Sequence, residues 1–134
     1  MNNILGLLSS AKSFRIIGNA DISKISDYEK ELEIVFAKDY TVYLLEYGCA
    51  SIYGHEFTGM TDDQRLNVVT VTKFVRSLFD SFPHDYYVIE STNDIFYCQD
   101  FSGKIYAVNH NGFIELVYDD LYSYLLDCIV NNGE

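Results

Sequence analysis

Positive charge is scarce in this sequence, and the scarcity limits the partners that the protein can bind. The 134 residues include nine Lys and Arg against twenty Asp and Glu, a formal net charge of −11 at pH 7. The basic residues are scattered and do not alternate with aromatic residues as in an RNA-recognition motif. Nucleic acids and anionic membranes are held by clustered Lys and Arg. The composition therefore argues against both as ligands.

Proline and cysteine are also rare. Pro83 is the single proline, and no run rich in Ser, Gly or Pro marks a linker. We therefore expect residues 1–134 to form one domain. The cysteines, Cys49, Cys98 and Cys128, are odd in number and far apart in the sequence. This pattern favours buried thiols over a disulfide or a nucleophile.

Long hydrophobic runs are missing as well. The longest apolar stretches, residues 4–8 and 66–71, are much shorter than the roughly 20 residues that cross a bilayer. The N-terminus has no basic segment of the kind that begins a signal peptide. We expect a cytoplasmic protein that does not bind membranes.

Negative charge is abundant and unevenly placed. Residues 77–134 contain ten Asp and Glu and one basic residue, Lys104, so they carry nine of the eleven net charges. A surface of this kind attracts cationic partners. Taken singly, each acid is better explained by solubility or helix capping, and only the cluster favours a partner. The candidate contact residues are Asp80, Asp85, Glu90, Asp94, Asp100, Glu115, Asp119 and Asp120.

Apolar residues recur at helical spacing in five stretches. Asp21 precedes the second stretch as an N-cap, and Asp119 or Asp120 precedes the last. Gly48 follows the third, at the position where a left-handed residue ends many helices. The five stretches are residues 4–11, 22–32, 40–47, 68–79 and 121–129.

Between the last two helices the pattern changes to short runs rich in β-branched and aromatic residues, at 86–90, 95–100, 104–109 and 113–118. Asn111-Gly112 separates the last two runs and is a strong hairpin signal. Short strands are also expected within 51–59. The sequence predicts an α+β fold, in which helices pack on one face of an antiparallel meander of four or more strands.

Signatures of chemistry are weak. His55, His84 and His110 are isolated, and neither H-E-x-x-H nor C-x-x-C occurs. Residues 54–61 have the glycine spacing of a P-loop, but Met60 replaces the phosphate-binding lysine. The pairs 62–63 and 119–120 suit helix caps better than a divalent ion. We expect no catalytic residue, metal or cofactor, with a small-molecule site near residues 48–59 as a minor alternative.

Several segments occur in an order typical of one family. Residues 40–48 form a helix that ends in Tyr47-Gly48, and 52–54 and 57–59 are punctuated by glycine. A helix at 67–76, the strand runs 86–90 and 96–100, and a closing helix at 121–126 follow. Together they resemble the SUKH superfamily, bacterial immunity proteins related to the fungal Smi/Knr regulators of cell-wall synthesis.

The resemblance implies a single SUKH-like domain that binds a protein and has no catalytic residues. The expected role is that of an immunity protein, which neutralises a cognate polymorphic or contact-dependent toxin. The toxin would be a nuclease or another enzyme that modifies nucleic acid, bound through its basic active-site surface. A regulatory interaction module, as in the fungal relatives, is the alternative.

Overall fold

The computed structural model describes residues 3–131, and this part of the chain contains five helices and seven strands. In chain order the elements are α1 (Ile4–Ser10), β1 (Arg15–Ile16), α2 (Ile22–Leu32), α3 (Lys38–Tyr47), β2 (Ala50–Ile52), β3 (His55–Glu56), α4 (Val68–Leu78), β4 (Tyr87–Ser91), β5 (Ile95–Gln99), β6 (Ile105–Asn109), β7 (Ile114–Tyr118) and α5 (Leu121–Val130). No helix in residues 3–131 is both long enough and apolar enough to span a membrane.

The larger sheet is the predicted meander. Its strands are antiparallel and follow the order β4-β5-β6-β7, so each strand pairs with its neighbour in sequence. No end of these four strands differs from its predicted position by more than one residue. At the β6–β7 turn the side chain of Asn109 accepts from the backbone N–H of Asn111 and Phe113, and Gly112 has φ 86°. The α+β class and the meander are confirmed.

A second sheet of three short strands has the order β1-β2-β3. The sequence does not predict its first strand, because two residues are too few to show an alternation of apolar and polar side chains. Tyr53 and Gly54 connect β2 and β3 with positive φ angles of 47° and 81°, as in the tight turns that suit twisted hairpins. An isolated bridge between Phe57 and Glu90 joins this sheet to the edge of β4.

Helices cover both faces of the meander, whereas the sequence predicted helices on one face. Tyr87 and Ile105 belong to the core shared with α1, α2, α3 and α5. Val88 points the opposite way and packs with Val71 and Val75 of α4. Successive strand residues face opposite sides, so the nearly continuous apolar run of β4 is explained by burial on both sides.

All three cysteines are buried and none forms a disulfide, as predicted. Cys98 lies on the face covered by α4, and Cys128 lies in the core on the opposite face. Burial raises the pKa of the Cys49 thiol to about 11. The Cys49 thiol is therefore protonated at neutral pH.

The N-cap of α4 is Asn67 and not the pair 62–63 that the sequence suggested. Asp63 lies in a preceding turn, where its Oδ1 accepts from the backbone N–H of Arg65 at 3.1 Å. The side-chain oxygen of Asn67 accepts from the backbone N–H of Val69 and Thr70 at 3.0 and 3.3 Å. Its amide nitrogen donates to the hydroxyl of Tyr28 at 2.9 Å and to the carbonyl of Thr61 at 3.1 Å. This side chain ties α4 to α2.

Replacing Asn67 with alanine should lower the free energy of unfolding by about 2 kcal/mol, because the cap is lost and buried polar groups lose their partner. Urea unfolding measures the change. Asn3→Ala is the matched control: Asn3 caps α1 through one exposed hydrogen bond to Gly6 of 2.9 Å. A cost no larger for Asn67→Ala than for Asn3→Ala would contradict this role of the Asn67 side chain.

Candidate functional site

The predicted contact acids are divided between the two ends of the meander. In an antiparallel sheet the start of one strand lies beside the end of the next. Asp85 precedes β4, Asp100 follows β5, and the pair 119–120 follows β7, so these acids share one end. Asp94 lies in the β4–β5 turn, at the opposite end of the sheet. Asp80 follows α4 and lies near that opposite end. The predicted single acidic surface is therefore two surfaces.

Three of these acids have identifiable structural roles. Asp120 caps α5, accepting from the backbone N–H of Ser123 at 2.8 Å. Asp100 accepts from the backbone N–H of Ser102 at 3.1 Å and from the hydroxyl of Tyr106 at 3.3 Å. Glu90 is 3% exposed, so the expectation that this acid is exposed is wrong. Glu115 is exposed on the edge strand β7, and Asp80, Asp85, Asp94 and Asp119 are exposed as well.

A cleft of about 560 Å³ lies beside the end of the sheet that carries Asp85. Its walls include the carboxylates of Glu29, Glu33 and Asp85 and the apolar side chains of Val35 and Phe101. Phe101 is 68% exposed and Val35 is 54% exposed. We call these five residues the acidic cleft. Ser26, Lys30 and Ile34 complete its lining.

The two walls of the acidic cleft come from distant parts of the chain and are joined by Arg76. Its guanidinium donates at 2.7 Å to the carbonyl of Leu32, at the end of α2, and at 2.7 Å to that of His84, just before β4. Glu29 supports the first wall by accepting from the backbone N–H of Phe36 at 2.9 Å. These bonds fix the distance between the α2 wall and the β4 wall.

Glu33 is held in an unusual backbone conformation at the end of α2. Its φ of 58° and ψ of 46° are left-handed, and its N–H bonds to the carbonyls of Glu29 and Lys30. Glycine is the usual residue at such a helix end, because a β-carbon is strained there. The position therefore combines a carboxylate in the acidic cleft with a local cost in stability.

Replacing Glu33 with glycine should raise the free energy of unfolding by about 0.5–1 kcal/mol, because the left-handed strain is relieved. Glu33→Ala is the matched control, since it removes the carboxylate and keeps the β-carbon. Its stability should not increase. The midpoint of urea unfolding measures both variants. Equal gains would show that carboxylate repulsion, and not backbone strain, is the cause.

The acidic cleft has the chemistry of a site for a cationic side chain next to an apolar one. Three carboxylates face one lysine there, and a guanidinium forms charge-assisted bonds with carboxylates. An exposed phenylalanine adds a ring face against which a cation packs. Aromatic residues are also enriched at protein interfaces. The arrangement suits an Arg- or Lys-bearing protein surface.

The buried Glu90 belongs to a second group of polar residues. Its Oε2 lies 2.8 Å from Nδ1 of His55, and its Oε1 accepts from the hydroxyl of Tyr124. The hydrogen bond to Glu90 raises the pKa of His55. Burial, followed by the charge of Glu90, raises the pKa of the Cys128 thiol to about 12. The ligand atoms of His55, Glu90 and Cys128 lie within 4.8 Å of one another, and we call these three residues the His55 cluster.

Sequence reasoning missed both arrangements in part. Glu29, Glu33 and Val35 lie in the nearly neutral first half of the chain, and nothing local connects them with Asp85. His55 and Cys128 belong to no motif of neighbouring ligands, and no local signal connects the two residues. The one local signal for Glu90 is the position of an acid at the end of the apolar run 86–89.

Comparison with known proteins gives a family and a fold. A family model described as SUKH_5, SMI1-KNR4 cell-wall, matches residues 1–130. A crystal structure of a protein from Pseudomonas syringae pv. tomato superimposes with a TM-score of 0.76 at 16% sequence identity and covers 96% of each chain. At this identity the likeness concerns the fold alone. No curated protein matches the sequence.

Proposed function

Since this chain belongs to the SUKH_5 family of SMI1-KNR4 proteins, we propose that it is an immunity protein that binds a cognate bacterial toxin and blocks the toxin's active site. The proposed toxin acts on nucleic acid in the cytoplasm. Such an enzyme holds phosphates with basic residues, and an acidic protein competes for that surface. Binding alone accounts for the protection, so the proposal assigns this chain no chemical step.

The observation that supports this proposal is the acidic cleft. Glu33 and Asp85 provide carboxylates from different elements, and Phe101 adds exposed apolar area to the same cleft. Asp100 and Asp119 lie at the same end of the sheet and extend the negative field around the cleft. Complementary fields speed association and exclude partners of the wrong charge.

Charge reversal tests the cleft with a matched control at the other end of the sheet. Asp85→Lys and Asp94→Lys change the net charge by the same amount, and both side chains are exposed. Asp85→Lys should lower the affinity for the toxin by about tenfold and reduce protection when toxin and chain are co-expressed. Asp94→Lys should leave both close to those of the unmodified protein.

The toxin used is the one encoded beside the gene, and binding is measured by interferometry at several salt concentrations. Affinity should fall as salt rises, because exposed charges are screened. Equal losses in the two variants would locate binding outside the acidic cleft. Absence of both binding and protection in the unmodified chain would exclude the immunity role.

A regulatory interaction module is the second candidate, and the words "cell-wall" in the description of the matching family favour it. In this role the acidic cleft would hold a basic segment of a partner in wall synthesis or signalling. A pull-down with the unmodified chain and with Asp85→Lys distinguishes the two candidates. Recovery of such proteins by the unmodified chain alone, without protection against the toxin, would support the regulatory role.

A further inference from the structure

Three metal-ligating side chains converge from three separate elements in the His55 cluster. His55 lies on β3, Glu90 on β4 and Cys128 on α5. One ligand atom of each lies within 4.8 Å of those of the other two. Glu90 and Cys128 are buried, and the side chain of His55 is 27% exposed. A nitrogen, an oxygen and a sulfur atom that can each bind a metal ion therefore lie together in a partly buried site.

A β-bulge directs Glu90 into this place. Tyr87 pairs with Gln99 and Glu90 pairs with Tyr97, so Ile89 is the extra residue of β4. Gln99 and Tyr97 are two residues apart and share a face. Tyr87 and Glu90 therefore share that face too, although three positions separate them. Without the bulge the Glu90 carboxylate would point toward α4, and bulges commonly re-aim side chains at functional sites.

A buried carboxylate requires compensation by a proton or a cation. Tyr124 donates to one oxygen of Glu90, and His55 lies against the other. Tyr124 thus orients the carboxylate from behind, as groups that support metal ligands do. The ligand atoms of His55 and Cys128 lie within 4.8 Å of that carboxylate.

We propose that His55, Glu90 and Cys128 bind a Zn²⁺ ion. Zinc accepts nitrogen, sulfur and carboxylate oxygen together, whereas Mg²⁺ and Ca²⁺ prefer oxygen alone. A thiolate and a carboxylate carry two negative charges, which balance the two positive charges of the ion. The bound site is then neutral, as suits its burial.

The ion has a route from solvent. His55 lines a cleft of about 590 Å³ together with Glu90 and Thr92. It also lines a cavity of about 140 Å³ that contains Tyr97 and Cys128. A hydrated ion that enters through either one loses part of its water shell to the three side chains and keeps water as a fourth ligand.

The binding step involves no redox change. The S–H bond of Cys128 breaks, its proton passes to solvent or buffer, and the sulfur electron pair binds the ion. His55 binds as neutral imidazole and Glu90 as carboxylate. One proton is therefore released for each ion bound by the thiol. The ion links β3, β4 and α5, so it should stabilise the junction of the two sheets.

Cobalt(II) tests the proposal, because its spectrum reports thiolate coordination. Titration of the purified metal-free chain should give a near-ultraviolet thiolate-to-cobalt charge-transfer band that saturates at one ion per chain and disappears when Zn²⁺ is added. Zn²⁺ at about a hundredfold above its Kd should raise Tm by about 5–10 °C. No charge-transfer band and no change in Tm would overturn the proposal.

Variants assign the ligands. Cys128→Ser and His55→Gln should each abolish the band, and His55 is exposed enough for its variant to fold if Cys128→Ser does not. Cys98→Ala is the matched control: its thiol is buried on the opposite face of the sheet, and the band should persist. Tyr124→Phe should weaken binding by about 10–100-fold. A band retained in both Cys128→Ser and His55→Gln would overturn the proposal.

Discussion

Replacing Gly59 with alanine is expected to prevent the protein from folding, or to lower its free energy of unfolding by about 4 kcal/mol or more. A β-carbon at this position would lie 2.0 Å from the carbonyl oxygen of Gly48 and 3.0 Å from Cα of Cys49. Both neighbours are backbone atoms. They cannot turn aside as a side chain can, and the same Gly48 carbonyl accepts from the backbone N–H of Met60 at 2.7 Å.

Gly54→Ala is the matched control for this experiment. Gly54 has φ 81°, but a β-carbon there meets no atom within 4 Å. Only left-handed strain is added, at a cost of about 1 kcal/mol. Circular dichroism and urea unfolding compare the two variants. Similar costs would mean that the backbones near Gly59 separate easily, in contradiction to the close approach in the structure.

The P-loop spacing of residues 54–61 is explained by the same contacts. Gly54 forms the β2–β3 turn, and Gly59 allows two backbone segments to touch. Met60, at the position of the phosphate-binding lysine, is buried in the core. The glycines in this region serve turn formation and packing, so their spacing is not evidence for nucleotide binding.

Replacing Gln99 with leucine is expected to lower the free energy of unfolding by about 3 kcal/mol. Gln99 is fully buried. Its Oε1 accepts from the hydroxyl of Tyr87 at 2.6 Å, and its Nε2 donates at 2.9 Å to both Asp39 and the carbonyl of Gly103. Leucine keeps the approximate volume, but all three of these groups lose a hydrogen-bond partner.

The effect extends beyond one side chain because Gln99 is the centre of a network. The hydroxyl of Tyr87 accepts from the backbone N–H of Ala37 at 2.9 Å, next to the start of α3. The second oxygen of Asp39 accepts from the backbone N–H of Leu121 at 3.1 Å, at the start of α5. The network therefore holds two helix starts against the sheet.

A double-mutant cycle with Tyr87→Phe measures the coupling directly. Because the two side chains share a hydrogen bond, the double variant should lose about 1 kcal/mol less than the sum of the single variants. Urea unfolding provides all four free energies. A cost below about 1 kcal/mol for Gln99→Leu, or strict additivity in the cycle, would show that water replaces the lost partners.

The uneven distribution of charge along the chain was a partial guide to the candidate site. It identified Asp85 and Asp100, which lie at the end of the sheet beside the acidic cleft. It also identified Asp94, which lies at the opposite end, and Glu90, which is buried. The sequence shows which residues are charged, but not where their side chains lie in the fold. Strand direction and bulges then decide where each side chain lies.

The α+β class, the five helices and the four-stranded meander were determined by the sequence itself. Their signals are local: apolar residues at spacing 3.6 or 2, capping residues such as Asp21, and turn residues such as Asn111-Gly112. Each signal lies within the element that it specifies, or next to it. It can therefore be read without knowledge of the rest of the chain.

Only the tertiary structure placed α4 on the second face of the sheet, directed Glu90 toward His55 and Cys128, and set Glu33 opposite Asp85. Each of these arrangements depends on contacts between residues far apart in the sequence. The bulge at Ile89 illustrates the reason: one extra residue reverses the face of every side chain after it. No local pattern in β4 reveals that shift, because β4 is apolar on both faces.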